Sequence, residues 1–104
     1  MMAHSVTVNS REVIEGGLTA VTFQDQAVLL TRWQGEVYGI AAYCPHASGD
    51  LSQGSLYRGR LDCPVHGYRF DLASGRCLWP PDEGYRLRRF TITEMGGAIT
   101  VTDP

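Results

Sequence analysis

Two short segments in the middle of the chain hold the side chains best suited to chemistry. The first, Cys-Pro-His, contains Cys44 and His46, and the second, Cys-Pro-Val-His, contains Cys63 and His66; sixteen residues separate His46 from Cys63. Each segment therefore offers one thiolate and one imidazole. A Cys–His hydrolase needs one thiolate beside one histidine and a third orienting group, which does not explain a duplicated pair. Four ligands of two kinds indicate a metal centre instead.

The spacing of these residues resembles the Rieske [2Fe–2S] motif, in which two cysteines hold one iron and two histidines hold the other. The segment GYRFD at residues 67–71 is also similar to the second loop of that family. The resemblance implies a single [2Fe–2S] cluster with four protein ligands: Cys44, His46, Cys63 and His66. It also implies that three further residues lie next to the cluster: Gly67, Tyr68 and Pro81.

A structural zinc site is the main alternative to the cluster, because two cysteines and two histidines can also bind zinc. Zinc sites favour close pairs of like ligands, such as C-x₂₋₄-C and H-x₃₋₅-H. In this chain each segment instead pairs one cysteine with one histidine. That pairing suits a centre in which one iron takes both sulfurs and the other takes both nitrogens, so we expect an iron–sulfur cluster rather than zinc.

Short runs of β-branched and aromatic residues, separated by turn residues at intervals of about ten positions, predict an all-β fold. The predicted strands are residues 6–8, 18–23, 27–33, 36–42, 55–57, 60–62, 68–71, 77–78, 85–93 and 98–102. Only residues 11–17 show a helix signal, of one or two turns at most. The Gly- and Pro-rich middle, residues 43–81, is interpreted as a cluster-binding subdomain of two loops. It is inserted into a Rieske-like domain, residues 1–104, whose antiparallel β base is a sandwich or an incomplete barrel.

Composition excludes several classes of function. The net charge is −2, and the nine cationic residues are all arginines scattered along the chain, which is not the footprint of a nucleic-acid-binding protein. No stretch approaches the ~18 apolar residues that span a bilayer, and residues 1–17 lack the basic and apolar regions of a signal peptide. Three cysteines, two of them in the motif, argue against a disulfide scaffold. We therefore expect a cytoplasmic protein with no nucleic-acid or membrane partner.

Four positions near the motif bear on the reduction potential. High-potential respiratory members of the family carry an extra cysteine in each loop, and these two cysteines form a disulfide. They also carry a serine and a tyrosine whose hydroxyl groups donate hydrogen bonds to cluster sulfurs. The corresponding positions here are Gly49 and Val65 for the cysteines, and Tyr68 and Phe70 for the hydroxyls. Phe70 has no hydroxyl, and the phenol of Tyr68 projects too far to replace a serine. The resemblance therefore implies a potential near the low end of the family range of about −150 to +300 mV.

Small low-potential members of the family include the ferredoxin components of bacterial ring-hydroxylating dioxygenases and related monooxygenases, which this chain resembles. The resemblance implies an electron-transfer protein, not an enzyme, that carries single electrons from a flavin-dependent NAD(P)H ferredoxin reductase to a terminal oxygenase. An oxygenase subunit would add an iron held by two histidines and a carboxylate, and only His4 is left over in this chain. A Rieske subunit or a redox-sensing module of a larger reductase complex is the alternative.

Other residues have less specific expected roles. Cys77 is expected to be a small buried hydrophobic residue, and Trp33 and Trp79 to lie in the core, with Trp79 under the cluster loops. Asp50 and Ser52 are expected to stabilise a turn in the first loop. Small apolar residues are expected to form a docking face for redox partners around the two histidines: Pro45, Ala47, Pro64, Val65 and Pro81.

Overall fold

The computed structural model describes residues 5–45, 49–65, 67–81 and 84–103. These residues form ten β-strands and two single-turn 3₁₀ helices, which confirms the predicted all-β class. The strands are β1 (Ser5–Asn9), β2 (Thr19–Phe23), β3 (Gln26–Trp33), β4 (Glu36–Ala41), β5 (Ser55–Tyr57), β6 (Arg60–Asp62), β7 (Arg69–Asp71), β8 (Cys77–Trp79), β9 (Arg89–Met95) and β10 (Ala98–Thr102). The 3₁₀ helices are Ser10–Glu12 and Leu51–Gln53.

Strands from both ends of the chain build a six-stranded antiparallel sheet in the order β1-β10-β9-β4-β3-β2. Its two edge strands, β1 and β2, approach each other, so the sheet curls around a core of its own. That core consists of Val13, Phe23, Val28, Leu30, Phe90, Ile99 and Val101. Between β4 and β9 the ladder is limited to the pairs Gly39–Phe90 and Ile40–Arg89. The base is therefore an incomplete barrel, as expected.

The four shortest strands form a second antiparallel sheet, ordered β5-β6-β7-β8, which falls between β4 and β9 in the sequence. Its inner face, with Leu61 and Phe70, packs into a second core that also contains Leu29 of β3. Val28 and Leu30, on the opposite side of β3, enter the core of the first sheet. β3 is therefore buried on both sides and forms the wall between the two cores.

The helix predicted in residues 11–17 is shorter than expected and begins earlier. Only Ser10–Glu12 is helical, and it starts in a capping box: Asn9 accepts the N–H of Arg11 at 2.9 Å, and Glu12 accepts the N–H of Asn9 at 3.3 Å. Val13 then takes an extended conformation and is buried, so burial of this side chain ends the turn. Neither 3₁₀ helix of the described residues approaches the length needed to cross a bilayer.

The strand predicted over residues 85–93 begins only at Arg89. Residues 85–87 contact the second sheet or the turn before β8 instead, and the carbonyl oxygen of Arg88 accepts the N–H of Ala41 in β4 at 2.9 Å. Leu87 donates its N–H to the carbonyl oxygen of Gly75 at 2.8 Å, and Arg86 forms an isolated bridge with Arg76. Residues 85–88 therefore link the two sheets, and this tertiary contact overrides their β-strand pattern.

Arg32 ties three parts of the first sheet together. Its guanidinium donates to the carbonyl oxygens of Val13 and Gly35, each at 3.0 Å, and forms a bidentate pair with Glu94 at 2.9 and 2.6 Å. The hydrogen bonds from Arg32 hold the pKa of Glu94 at about 2. The segment before β2, the β3–β4 turn and β9 are thus joined at one side chain.

The two tryptophans differ in their environment. Trp33 is partly buried and packs against the second core, as expected. The placement predicted for Trp79 is wrong, because this residue is 47% exposed. Trp79 lies at the end of the edge strand β8, opposite Arg69 in the ladder, and the Arg69 guanidinium lies 5.9 Å from the centroid of its ring. Its side chain therefore lies on the outer surface of the second sheet rather than beneath the loops.

Candidate metal centre

The first cysteine loop leaves β4 and is closed by backbone pairing. Cys44 donates its N–H to the carbonyl oxygen of Gly49 at 2.8 Å, and Tyr43 forms a bridge with Asp50. Asp50 then caps the second 3₁₀ helix, because its carboxylate accepts the backbone N–H of Ser52 at 2.9 Å and the Ser52 hydroxyl at 2.6 Å. The turn role predicted for Asp50 and Ser52 is confirmed.

The second cysteine loop follows β6 and is closed in the same way. Cys63 donates its N–H to the carbonyl oxygen of Tyr68 at 2.6 Å. In both loops the cysteine N–H thus binds the carbonyl of the fifth residue after it, at Gly49 in the first loop and at Tyr68 in the second. The two motif cysteines therefore begin loops of equal length, and the histidine of each motif falls within its closed loop.

Both motif thiols lie in the interior. Cys44 and Cys63 each expose 2% of their surface, and neither forms a disulfide. Burial raises the pKa of the Cys63 thiol, and its hydrogen bond with the Cys44 thiol raises it further, while the backbone of Val65 acts in the opposite direction. The two sulfur atoms are therefore neighbours in a site of low polarity, where a pair of thiolates needs a cation to neutralise it.

Gly49 allows the two loops to approach each other. A Cβ atom at this position would lie 2.8 Å from Cγ2 of Val65 and 3.0 Å from Sγ of Cys63, and the first distance is too short for a real side chain. Residues 49 and 65 therefore face each other across the loops, as the family's disulfide positions require. With Gly and Val at these positions, packing rather than a covalent bond holds the loops together.

The two predicted nitrogen ligands, His46 and His66, lie outside the described residues. Within residues 5–45, 49–65, 67–81 and 84–103, no three His, Cys, Asp or Glu side chains are grouped closely enough to hold a metal ion. The structure thus brings together the two predicted sulfur ligands, Cys44 and Cys63, and the complete ligand set, with both histidines, stays a prediction. Two adjacent buried thiols, each at the start of a loop that contains a histidine, fit a centre with mixed sulfur and nitrogen ligands.

The three other residues predicted near the cluster differ in exposure. Gly67 is exposed and has a φ of 67°, a conformation that favours glycine, and Pro81 is also exposed. Tyr68 is buried, and its ring packs 6.4 Å from that of Phe70 and 6.0 Å from that of Tyr85, measured between centroids. Tyr85 thus contributes to the wall beneath the second loop, a role that no sequence pattern indicated.

Cys77 is buried at the edge of the second core, as expected. Its thiol donates to the carbonyl oxygens of Trp79 at 3.4 Å and Pro80 at 3.7 Å. The residue lies on β8, outside both cysteine loops. These two hydrogen bonds therefore join the thiol to the backbone at the end of β8 and just after it, and they could not be inferred from spacing in the sequence.

Comparisons with known proteins agree with the motif and the fold. The family model for the Rieske [2Fe–2S] domain matches residues 4–91. The chain is 33% identical over 70 residues to the ferredoxin component of the naphthalene 1,2-dioxygenase system of Pseudomonas putida, and the match covers 67% of each chain. The ferredoxin of carbazole 1,9a-dioxygenase from Nocardioides aromaticivorans IC177 superposes with a TM-score of 0.88 at 24% identity, over 99% of this chain and 100% of that chain.

A second solved structure extends the comparison to a protein complex. A chain in the complex of reduced oxygenase and oxidised ferredoxin in carbazole 1,9a-dioxygenase superposes with a TM-score of 0.85 at 22% identity. The superposition covers 94% of this chain and 92% of that chain. At this level of identity, the likeness establishes the fold.

Proposed function

The chain belongs to the Rieske [2Fe–2S] family, and we propose that four residues hold its cluster: Cys44, His46, Cys63 and His66. The observation that carries this proposal is the pair of equal cysteine loops, which place two buried thiols side by side and enclose one histidine each. We further propose that residues 43–81 act as one cluster-binding unit, because both loops and the whole second sheet fall within them.

When bound, such a cluster accepts and returns a single electron. The protein itself excludes water from the side of the cluster site that faces the core, and it leaves the opposite side open to a partner protein. Leu51, Tyr68 and Phe70 are buried in the core that contains the two motif thiols, whereas Pro45 and Pro64 at the loop tips are exposed. This arrangement suits electron transfer to a partner protein that touches the tips.

The side chains around the thiols support a low reduction potential. Phe70 is fully buried and carries no hydroxyl, and the Tyr68 ring packs against Phe70 and Tyr85. Positions 49 and 65 hold no cysteines that could join the loops. Fewer donors then offset the negative charge that reduction adds. We expect a potential in the lower half of the range of about −150 to +300 mV.

We infer that the protein carries electrons from a flavin-dependent NAD(P)H ferredoxin reductase to a terminal oxygenase. It is an electron-transfer protein and not a catalytic enzyme, like the ferredoxin components to which it is similar. The relative from Pseudomonas putida is part of a dioxygenase system, and a carbazole dioxygenase ferredoxin forms a complex with its oxygenase. Both relationships support an oxygenase as the electron acceptor.

Metal analysis of serine variants tests the sulfur ligands. We expect wild-type protein to contain iron and acid-labile sulfide, and the Cys44→Ser and Cys63→Ser variants to lose both, because a serine hydroxyl does not replace a thiolate on iron. Cys77→Ser is the matched control, since Cys77 is also buried but lies outside the loops. It should retain the iron content and the spectrum of the reduced wild-type protein. A colourless wild-type protein that holds zinc would refute the proposal.

The same preparation tests the direction of electron flow. With NADH and a flavoprotein ferredoxin reductase, we expect reduction of the protein, followed by reoxidation when a ring-hydroxylating oxygenase is added. A redox titration of the protein gives its potential, and a value in the upper half of the family range would contradict the low-potential assignment. Reduction without reoxidation by any oxygenase would favour the alternative, a module of a larger reductase complex.

A further inference from the structure

The positive charge of this acidic protein is concentrated in one part of the chain. Seven of the nine arginines lie between residues 58 and 89, together with four of the eleven acidic residues, so this segment has a formal charge of +3 while the whole chain has −2. Four arginines form ion pairs with carboxylates: Arg32, Arg60, Arg69 and Arg88. The charge that is left unbalanced within the segment is therefore carried by a smaller set of side chains.

Three of the remaining arginines lie on or near the two short segments that pair with each other where the two sheets meet. Arg76 lies directly opposite Arg86 in an antiparallel bridge, and Cδ of Arg89 lies 3.3 Å from the position that a Cβ of Gly75 would occupy. All three side chains are exposed. None of the carboxylates that the structure describes forms an ion pair with them. We refer to Arg76, Arg86 and Arg89 as the arginine cluster.

No carboxylate of the described residues offsets the like charges of Arg76 and Arg86, so we expect their bridge to cost stability in the isolated protein. Like charges directly opposite each other in a ladder destabilise a sheet, and Arg76 and Arg86 are such a pair. Arg60 shows the alternative arrangement in the same sheet, since its guanidinium pairs with Asp62 at 3.0 Å and lies 4.8 Å from the centroid of the Tyr57 ring. Among the described residues, the pair of Arg76 and Arg86 has no such carboxylate partner. A negative surface of a partner protein would supply one in a complex.

Arg86 directly follows a residue that packs against the second cysteine loop. The residue before Arg86, Tyr85, packs its ring against that of Tyr68 at 6.0 Å, and the Tyr68 carbonyl closes the loop that begins at Cys63. Tyr85 is 37% exposed. A protein that covers the loop tip and the Tyr85 ring would therefore extend to the backbone that carries Arg86, the nearest member of the arginine cluster in the chain.

We propose that the arginine cluster is a docking surface for an acidic patch on the protein that accepts the electron. The proposal rests on the proposed function, because only an electron carrier must meet its acceptor repeatedly and leave again. Charge complementarity suits that task, since it raises the association rate more than the affinity and an electron-transfer interface is small, below ~1,200 Å². Gly75 permits the arrangement, because its lack of a side chain lets Arg89 and the backbone of Leu87 approach.

Stopped-flow kinetics with two acceptors of opposite charge test the docking surface. The reduced protein gives one electron to oxidised plastocyanin, an acidic copper protein, or to ferricytochrome c, a cationic haem protein. For Arg76→Glu/Arg86→Glu we expect the second-order rate constant with plastocyanin to fall at least about tenfold at low ionic strength. The salt dependence should also become weaker, because screening then has less attraction to remove. The rate constant with cytochrome c should stay equal or rise.

A second double variant separates local docking from net charge. Arg11→Glu/Arg58→Glu changes the net charge by the same amount at two exposed arginines outside the arginine cluster, and it should keep the plastocyanin rate constant within about threefold of wild type. An equal decrease of the plastocyanin rate constant in the two double variants would overturn the proposal. Iron content and reduction potential are measured first in every variant. A protein without a cluster would show that the proposed function fails, whereas a normal cluster with unchanged rate constants would show that only the docking proposal fails.

The melting temperature of one single variant tests whether the bridge between Arg76 and Arg86 destabilises the fold. Arg76→Glu places opposite charges across from each other, so its melting temperature should rise while its electron transfer to plastocyanin slows. A variant that melts at a lower temperature would show that Arg76 stabilises the fold, and would overturn its assignment to partner docking.

Discussion

Gly49 is the residue on which the approach of the two cysteine loops depends. Any Cβ there would lie 2.8 Å from Val65 Cγ2 and 3.0 Å from the Cys63 sulfur. The restriction is purely steric, because no left-handed backbone is required at this position. A single added methyl group should therefore disturb the metal centre and the stability of the holoprotein together.

We expect Gly49→Ala to lower the free energy of unfolding by about 1–3 kcal/mol, the usual cost of overpacking. Urea unfolding of the cluster-containing protein measures this change. Gly84→Ala is the matched control, because a Cβ at Gly84 would meet no atom of the described residues within 4 Å. It should change stability by no more than about 0.5 kcal/mol. Adding Val65→Ala to Gly49→Ala should restore part of the loss. A Gly49→Ala variant as stable as Gly84→Ala would contradict the close approach.

The role of a single residue can be predicted from the sequence where it depends on nearby positions in the chain. The spacing of Cys44 and Cys63 to their histidines is visible in the sequence, and the structure places both thiols in one interior site. Trp79 was misplaced because aromatic residues are usually buried, whereas a position on an edge strand leaves its ring exposed. The proximity of Arg76 and Arg86 was not visible at all, because it follows from the way that residues 85–88 cross to the second sheet.

At the level of elements, strand patterns predicted most of the fold, and the connections between strands were less visible. Regular alternation identified strands such as β1 and β10. The segment before β2 has no such pattern, and it is held by side chains that come from elsewhere. Arg32 bonds to Val13 and forms a bidentate pair with Glu94 of β9. We therefore expect the attachment of that segment to be sensitive to pH.

Glu94 should give the protein a specific acid sensitivity. Its pKa is lowered from 4.5 to about 2 by the hydrogen bonds from Arg32. The folded state thus favours the ionised form, so the contribution of the pair is fully present above pH 4.5 and is lost as the pH falls towards 2. We expect Glu94→Gln to melt below wild type at pH 7, with a difference that shrinks below pH 4.5. Thermal melts of both proteins across this window check the prediction.

Comparing the two proteins at each pH removes the effect of acid on the metal centre, which both share. Glu36→Gln serves as a control, because Glu36 is an exposed residue of β4 without an ion pair to any described arginine. Its melting temperature should stay near that of wild type throughout. A difference between wild type and Glu94→Gln that is constant from neutral pH to pH 3 would argue against the Arg32–Glu94 pair as its source.

In the whole molecule, two cores of different construction share the wall formed by β3. The six-stranded sheet has strands of five to eight residues and an entirely protein-built core. The second sheet has four strands of three residues each, and its core includes the two motif cysteines. A pattern of alternating residues could predict both sheets, whereas the expectation that the second sheet depends on a metal centre follows from the positions of Cys44 and Cys63 in its core.

Loss of the cluster should therefore unfold residues 43–81 while the six-stranded sheet persists. Metal binding that joins distant loops contributes its free energy to folding, and strands of three residues offer few ladder bonds to replace it. In Cys44→Ser we expect hydrogen exchange to show lost amide protection in β5 to β8 and retained protection in β1, β3 and β10. Cys77→Ser, which keeps the cluster ligands, should protect both sheets. Undiminished protection of β5 to β8 in a Cys44→Ser protein without iron would contradict the idea that the metal centre holds the second sheet together.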